Sequence, residues 1–317
     1  MKKQIQEYFN HINTIWFRNA KTYKWSLDLF DERLTKEYWR ELKVEELKLH
    51  HIMDYMQYFK TKKVIRWHRI WQQPAESYVK CTIKIIKQFV KFLKISEYQV
   101  MPREQIPNIK IKEKRFDMVS DRIYKEIRNV PGVLERESII AKRNQLIIDI
   151  LHDTWLRRAE VLRLNFSDFK TKNRQFEVLI KGGRLGVCFY SEKLRKKVLE
   201  YEKSQLFYCK RKKIKPEDDL IFLSFGNKNA WRQLNYAYIS FMFNHYSEFL
   251  KASWKIDIED RVHAHQFRHA FATRCVTSWL SQQATCALMR HIDPATTLRY
   301  YHLDDSYLRG QYDMIKL

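Results

Sequence analysis

The residues best suited to chemistry lie in the stretch "HAHQFRHAFATR", which spans residues 263–274. On a helix, His265, Arg268 and His269 would occupy positions i, i+3 and i+4 and would share one face. An arginine buried among the apolar residues of this stretch would be costly without a partner. We therefore expect an anion to meet Arg268, either an internal carboxylate or a phosphate group.

The two histidines of this stretch also have the H-x-x-x-H spacing of helical zinc sites. A zinc hydrolase needs a glutamate directly after the first histidine as its base, whereas this chain has Gln266 there. We therefore expect no metal and no other cofactor. A metal-dependent hydrolase that uses His265 and His269 stands third among the functional hypotheses.

Two further stretches carry charged residues at suggestive spacing. In "TWLRRAEVLRL" (154–164), Arg157 opens a predicted helix and Glu160 follows one turn later. The pair could also be an ordinary surface ion pair, which contributes roughly a few tenths of a kcal/mol. Lys181 lies at the tip of a predicted hairpin, beside two glycines that would let the backbone approach a ligand closely. A lysine at a hairpin tip is commonly only solvated, so neither feature assigns a function alone.

The stretch "LMRHIDPATTLRYYHL" (288–303) places His291 ahead of the adjacent Tyr300 and Tyr301. Either both tyrosines pack in the ordinary way, or one of them is a reagent. On a helix their side chains would point about 100° apart, so only one could face a reaction centre. The stretch alone does not select between them.

The elements that must position these residues are mostly helices. Residues 1–100 show helical periodicity, with the clearest patterns at 26–34, 43–63 and 74–97. The third of these helices has an apolar face and, on its opposite side, a basic face formed by Lys80, Lys84, Lys87, Lys91 and Lys94. That basic face is either simply solvated or turned toward phosphate groups.

Two prolines and several basic residues break the periodicity after residue 100 and predict an extended linker over 101–119. The chain is therefore expected to form a domain over 1–100 and a second over 120–317, with Ser120 or Asp121 capping the next helix. The second half predicts helices over 138–164 (broken near Thr154), 235–253, 265–280, 282–290 and from 294 onward, a hairpin over 173–192 and a strand over 218–225.

Charge is the strongest compositional signal, since 60 lysines and arginines face 37 acidic residues and leave a formal net charge of +23. Such an excess costs self-repulsion unless a polyanion relieves it. Nucleic acid is the expected partner and an anionic membrane the alternative, although a basic proteome with solvated faces would give the same balance. Five scattered cysteines and the absence of a long apolar run favour a reducing, cytoplasmic setting with no membrane span.

Taken in order, the motifs resemble those of the tyrosine recombinase (phage-integrase) family, most closely its Xer-type branch, over the whole chain. The counterparts are residues 154–160 for T-G-L-R-x-x-E, 181–184 for K-G-x-K/R, 265–273 for H-x-x-R-H-x-F-A-T, His291 for the G-H motif and 296–302 for T-T-x-x-Y-x-H. Tyr300 follows His291 by nine positions, and in the family this interval selects Tyr300 over Tyr301 as the nucleophile. The resemblance implies a mainly α fold with a small antiparallel β-sheet, made of a helical, SAM-like core-binding domain and an α+β catalytic domain.

The resemblance also implies the reaction, in which DNA strands are cut and rejoined through a 3′-phosphotyrosine intermediate without metal or ATP. The catalytic set that it implies is Arg157, Lys181, His265, Arg268, His291 and Tyr300, with Glu160 and His269 in support. The two arginines would grip the scissile phosphate with planar, permanently charged forks. His265 would act as base or hydrogen-bond partner, His291 would bond a non-bridging oxygen, and Lys181 would protonate the leaving 5′ oxygen.

Trp155 and Arg290 depart from the family pattern, because each stands where the family usually has glycine. Trp155 could crowd the approach to Arg157 or stack nearby, and Arg290 could add a phosphate contact. These departures keep open a second hypothesis, a catalytically impaired DNA-binding protein that retains the recombinase fold.

The resemblance implies partners as well: duplex DNA with a specific recombination site, and a homo-tetramer assembled on two such sites from free monomers or dimers. The job would be integration or excision of a mobile element, or resolution of replicon dimers, in the cytoplasm at the nucleoid and without a membrane partner. The residues expected to contact DNA outside the catalytic set are Lys80, Lys84, Lys87, Lys91, Arg184 and Arg290.

Overall fold

The structure is a computed structural model that describes residues 1–15, 19–61, 64–66, 69–72, 75–110, 118–179, 183–213, 219–225, 232–257, 261–290 and 293–301. The chain divides into two compact units, Met1–Lys114 and Arg115–Leu317. Within the described residues both are mainly helical, and each includes a small antiparallel β-sheet of two strands, which confirms the predicted fold class. Among the described helices, none combines the length and apolar composition that a membrane crossing requires.

The first unit is built from helices around one apolar core. Its elements are α1 (Lys2–Thr14), α2 (Ala20–Tyr38), α3 (Leu49–Thr61), the hairpin strands β1 (Val64–Arg66) and β2 (Arg69–Gln72), and α4 (Glu76–Ile95). The face of α4 that the periodicity marks as apolar is buried at Ile86, Phe89 and Leu93. Its lysines lie on the other side, so the predicted amphipathic division of this helix is confirmed.

The helix predicted over 43–63 begins six residues later than expected, and that part of the prediction is wrong. Residues Val44–Glu46 form a separate 3-10 turn, in which the Glu46 carboxylate accepts the backbone N–H of Lys43 at 2.8 Å. The α-helix starts only at Leu49, where His51 Nδ1 accepts the backbone N–H of Lys48 at 3.0 Å. Side-chain acceptors therefore satisfy these N–H groups locally and interrupt a pattern that periodicity alone made continuous.

The segment predicted as a linker begins with residues that pack on the first unit. Ile106 belongs to that unit's buried core, after a 3-10 turn at Arg103–Gln105. Val119, at the other end of the segment, is buried in the core of the second unit. Residues 111–117 lie outside the described residues, and the predicted domain boundaries stay a prediction.

The second unit holds the motif residues. Its elements are α5 (Asp121–Leu134), α6 (Ser138–Asp153), α7 (Arg158–Val161), β3 (Gln175–Leu179), β4 (Leu185–Phe189), α8 (Glu192–Arg211), α9 (Tyr236–Ala252), α10 (Ala264–Thr277), α11 (Gln282–Met289) and α12 (Ala295–Tyr301). Ser120 caps α5 as predicted, because its hydroxyl accepts the backbone N–H of Ile123. The predicted break is confirmed as well, since α6 ends at Asp153 and Thr154 is extended. The hairpin β3–β4 pairs from Gln175 opposite Phe189 to Leu179 opposite Leu185.

The second unit differs from the sequence-based expectation at two elements. The expected strand over 218–225 is wrong: within its described part, only isolated bridges form, Asn165 with Leu220 and Leu223 with Gln233. Its residues Ile221 and Phe222 belong to the buried core of the unit, so burial rather than pairing in a sheet explains their hydrophobicity. The 20-residue helix α8 was not predicted, because its sequence is dense in charged residues and poor in apolar ones, which hides its apolar stripe.

His152, near the end of α6, predicts a loss of stability in mild acid. Its ring stacks on Tyr124 with centroids 3.7 Å apart, and Arg274 donates to its Nε2 at 3.0 Å. Burial and then the charge of Arg274 lower the His152 pKa to about 4. Between about pH 6.5 and pH 4, His152 is therefore protonated in the unfolded chain but neutral in the folded chain. The free energy of unfolding is at its full value above the unfolded pKa and falls as the pH is lowered.

Because of His152, the free energy of unfolding should fall by about 2 kcal/mol as the pH is lowered from 7 to 5. The substitution His152→Gln keeps an acceptor for Arg274 and removes the titration, so the variant should lose less stability over this range than the parent. Urea unfolding of both proteins at the two pH values measures the difference. Equal losses in the two proteins would show that another group governs the acid response.

Candidate active site

Helix α10 carries the first group of motif residues, and its local sequence sets its start. Gln266 accepts the backbone N–H of His263 at 2.8 Å, which fixes the first turn of the helix. The residue that stands where a zinc hydrolase would have glutamate thus has a capping role. Among the described residues, no three metal-ligating side chains come together.

Arg268 lies inside the second unit with only 3% of its surface exposed. Its two terminal nitrogens donate to the backbone carbonyl oxygens of Trp155 and Met289. An internal carboxylate was one of the two partners expected for this arginine; among the described residues the guanidinium bonds carbonyl groups instead. Burial and then the charge of Arg157 lower the Arg268 pKa to about 10, which leaves the group charged at neutral pH.

Glu160 connects two arginines in the same region. Its carboxylate accepts from Arg157 Nη1 at 3.0 Å and from the Arg157 backbone N–H at 2.9 Å, and it pairs with Arg290 Nη2 at 3.3 Å. The Glu160 side chain is only 7% exposed, whereas that of Arg157 is 37% exposed. The pair is therefore a buried anchor for a partly exposed arginine and not the ordinary surface pair that the sequence also allowed.

Tyr300 is buried on α12, and its hydroxyl lies 2.6 Å from His269 Nδ1. The ring of His265 meets that of His269 edge to face, with centroids 4.4 Å apart. Sequence reasoning gave His265 the leading role toward the tyrosine and His269 a supporting one, but the structure places His269 in contact. The spacing H-x-x-R-H puts both histidines on one face, and the packing of α12 decides which of them reaches Tyr300.

Tyr301 is engaged elsewhere. Its hydroxyl donates to the backbone carbonyl of Leu280 at 2.6 Å and lies 2.8 Å from the Thr285 hydroxyl. The two adjacent tyrosines therefore have different surroundings, one facing a histidine and the other holding the start of α11.

His265 lines a cavity of about 490 Å³ together with Arg157, Arg158, Tyr236 and residues of α9. Desolvation of its ring and then the charge of Arg268 lower the pKa of His265. The charges of Arg268 and Arg157 disfavour a protonated His265 ring even where solvent reaches it. A neutral imidazole on the wall of an open cavity is able to accept a proton or a hydrogen bond from a ligand.

The remaining predicted residues have varied surroundings. Lys181 and His291 lie outside the described residues. Lys80, Lys84, Lys91 and Arg184 are exposed, whereas Lys87 is half-buried and donates to the Asn108 side chain at 2.6 Å. Arg290 was expected to contact phosphate, but its side chain is 7% exposed and pairs with Glu160 inside the unit.

The second unit is a mainly helical fold that brings together a buried arginine, Arg268, a buried tyrosine, Tyr300, and the partly buried His269, an arrangement that fits the class of tyrosine recombinases. Residues 121–306 match the family model described as the phage integrase family, and the chain belongs to that family.

Relatives of known name support the same assignment. The chain is 28% identical over 178 residues to "Tyrosine recombinase XerC" of Pseudomonas savastanoi pv. phaseolicola and, over the same number of residues, to that of Pseudomonas syringae pv. syringae. The matched region is 56% of this chain and 54% of each relative, so the match spans about half the length of these relatives.

Solved structures share the fold at low sequence identity. The XerH site-specific recombinase bound to difH substrate has a TM-score of 0.68 and 16% identity, over 100% of this chain and 85% of that chain. The Tn1549 transposon integrase in complex with transposon right end DNA has a TM-score of 0.70 and 14% identity, over 99% and 98% of the two chains. Each of those proteins was solved with DNA.

Proposed function

We propose that the chain is a site-specific DNA recombinase that cuts and rejoins strands through a 3′-phosphotyrosine intermediate, without metal or nucleotide. One observation carries the proposal: α10 buries Arg268 and, one residue later, presents His269 at hydrogen-bond distance from the Tyr300 hydroxyl. The membership of the phage integrase family supports it, as do the DNA-bound structures that share the fold.

The chemistry begins with Tyr300, whose oxygen attacks the phosphorus of a DNA phosphodiester while the bond to the 5′ oxygen breaks. Ionising a free tyrosine at pH 7 would cost about 4 kcal/mol, so the proton needs an acceptor. His269 Nδ1, 2.6 Å from the hydroxyl, is the proposed acceptor, and the neutral His265 ring beside it is available to the phosphate. The released 5′-hydroxyl takes its proton from Lys181 in this scheme, and a 5′-hydroxyl of another strand later reverses the step.

The two arginines supply the positive charge. Arg157 is partly exposed at the cavity and is anchored by Glu160, whereas Arg268 is buried and remains charged. Both arginines would hold the oxygens of the scissile phosphate. His291 would bond a non-bridging oxygen. By analogy with oxyanion donors, each arginine would stabilise the transition state by roughly 3 kcal/mol.

The hypothesis of a catalytically impaired protein rested on Trp155 and Arg290. Neither residue lines the cavity that Arg157 and His265 share. Trp155 is buried in the core, and Arg290 pairs with Glu160. Neither side chain therefore obstructs that cavity, which favours an active enzyme over an impaired one.

The proposed partner is duplex DNA that carries a specific recombination site, bound by a homo-tetramer assembled on two sites from free monomers or dimers. The net charge of +23 suits a polyanion, and exposed lysines of α4 together with Arg184 are proposed to contact phosphates. The location follows from the substrate and is the cytoplasm at the nucleoid. Mobile-element integration or excision and replicon-dimer resolution are the jobs that such an enzyme performs.

A nicked duplex tests the proposal. Sequences bound by the protein are first selected from a random DNA pool. The best one is prepared with a nick just downstream of the cleavage site, so that the short fragment with the released 5′-hydroxyl diffuses away and the adduct is trapped. We expect a protein–DNA adduct that survives SDS and forms equally well in EDTA. Specific binding without an adduct would instead support the impaired protein, and loss of cleavage in EDTA would support a metal-dependent hydrolase.

A further inference from the structure

The two residues that depart from the family pattern meet in the interior of the second unit. The Arg290 guanidinium carbon lies 5.7 Å from the centroid of the Trp155 ring, so a buried cation faces a buried indole. The same guanidinium pairs with the Glu160 carboxylate through Nη2. Arg290 is thus enclosed between an aromatic ring and an acid, and its side chain is 7% exposed.

The backbone at Arg290 makes this arrangement unusual. The residue ends α11 in the left-handed region, with φ 52° and ψ 44°, where glycine is favoured because a Cβ is crowded. In addition, its Nε and Nη1 make no hydrogen bond among the described residues. A glycine would avoid both penalties, so the contacts of the side chain with Glu160 and Trp155 must offset them.

These contacts lead directly to both phosphate-binding arginines. Glu160 bonds Arg290 with Oε2 and Arg157 Nη1 with Oε1, so one carboxylate sets the positions of two guanidinium groups. The carbonyl groups that hold Arg268 belong to Trp155, the ring partner of Arg290, and to Met289, its neighbour in the chain. The cluster formed by Trp155, Glu160 and Arg290 therefore includes or adjoins the groups that bond Arg157 and Arg268.

We propose that Arg290 is a positioning residue for the strand-transfer reaction: seated against Trp155, it holds the Glu160 carboxylate and so orients Arg157, while the segments at Trp155 and Met289 orient Arg268. Trp155 and Arg290 act as a pair, because the ring of Trp155 packs against the guanidinium of Arg290 and each side chain fills the space beside the other. The inference rests on the proposed function, because orientation of these arginines matters only if they bind a scissile phosphate.

The test compares single-turnover adduct formation on the nicked duplex at saturating DNA, with the dissociation constant for DNA measured separately. Arg290→Met keeps much of the side-chain volume and removes the charge. We expect its adduct rate to fall roughly 10- to 100-fold, the range seen when groups that orient functional ligands are lost. The dissociation constant should stay within about twofold of the parent value, because Arg290 is buried and does not contact DNA.

Two further variants separate positioning from a general effect on folding. Arg290→Lys retains a charge beside Glu160 but not the planar face against Trp155, so its rate should lie between those of the parent and Arg290→Met. Arg174 is an exposed arginine that also has a positive φ, 50°, and Arg174→Met should leave the rate unchanged. Thermal melting of each variant confirms that folded protein is compared.

The outcomes distinguish the inference from the function on which it rests. Parent protein that forms adduct, together with an Arg290→Met rate equal to that of Arg174→Met, would overturn the positioning role and leave the proposed function standing. An Arg290→Lys rate no higher than that of Arg290→Met would overturn it too, because the charge would then be irrelevant. Absence of adduct from the parent protein itself would remove the proposed function, and the inference with it.

Discussion

Tyr300→Phe should abolish the covalent protein–DNA adduct, with the rate of its formation reduced by more than roughly 10⁴-fold. The substitution removes the only atom by which this residue can attack phosphorus, and phenylalanine fills nearly the same volume in a site that is 3% exposed. Folding and DNA binding should survive, because the substitution removes a single hydroxyl, the group that contacts His269 Nδ1, and keeps the ring. Adduct formation on the nicked duplex, quantified on SDS gels beside a DNA-binding titration, measures both properties.

Tyr301→Phe is the matched control, since the two tyrosines are adjacent on α12. Its lost hydroxyl bonds the Leu280 carbonyl and the Thr285 hydroxyl, so the substitution should cost about 1–3 kcal/mol of stability and leave the adduct intact. An adduct that vanished with Tyr301→Phe and persisted with Tyr300→Phe would place the nucleophile one residue later. Loss of the adduct with both variants, at full folding, would mean that the packing of α12 rather than one hydroxyl limits the reaction.

Much of the helical framework was predictable, because its signals are local. Ser120 is followed by an amphipathic repeat, and the structure starts α5 there. The break after Asp153 and the hairpin at β3–β4 were also apparent from short patterns. The helix predicted over 43–63 failed at its start because Glu46 and His51 bind backbone N–H groups that an uninterrupted helix would use.

Sequence spacing named the residues of the candidate site, but it did not indicate the groups that they contact. The chain pattern placed Arg157, Glu160, Arg268 and Tyr300 in one site, and those four residues do lie in the same unit. The identity of each contact depends on tertiary packing, which sequence spacing does not encode. A buried arginine can be satisfied by carbonyl groups as well as by acids, and Arg268 uses those of Trp155 and Met289.

Arg290 is a second residue whose contacts could not be predicted from sequence spacing. Its position before His291 and its charge predicted a phosphate contact, whereas the structure turns the side chain inward to Glu160. The signal that could have indicated this was the simultaneous presence of two bulky residues at positions where glycine is usual. Two departures that appear together favour a mutual contact, although the pairing itself becomes visible only in three dimensions.

The second large effect is expected at Arg268, which serves both the fold and the reaction. Arg268→Met removes the donors to two buried carbonyl groups, and each carbonyl left without a donor costs about 1–3 kcal/mol. It also removes a positive charge that we propose to bind the scissile phosphate. The rate of adduct formation by folded protein should therefore fall roughly 10²- to 10³-fold, as when a single oxyanion donor is lost.

A matched variant separates these two consequences. Arg143 is also buried in the second unit, 2% exposed, where it donates to the Leu223 carbonyl at 2.8 Å and lies over the Tyr238 ring. Arg143→Met should destabilise the protein to a similar degree, because it too removes the donor from two buried acceptors, the Leu223 carbonyl and Asn144 Oδ1, and yet leave the adduct rate per folded molecule near the parent value. Urea unfolding gives the stability of each variant, and single-turnover kinetics well below its unfolding midpoint gives the rate. Equal rate losses in the two variants would show that Arg268 acts through the fold alone, whereas a loss confined to Arg268→Met would show that its charge acts on the transition state, because the structural damage has been matched.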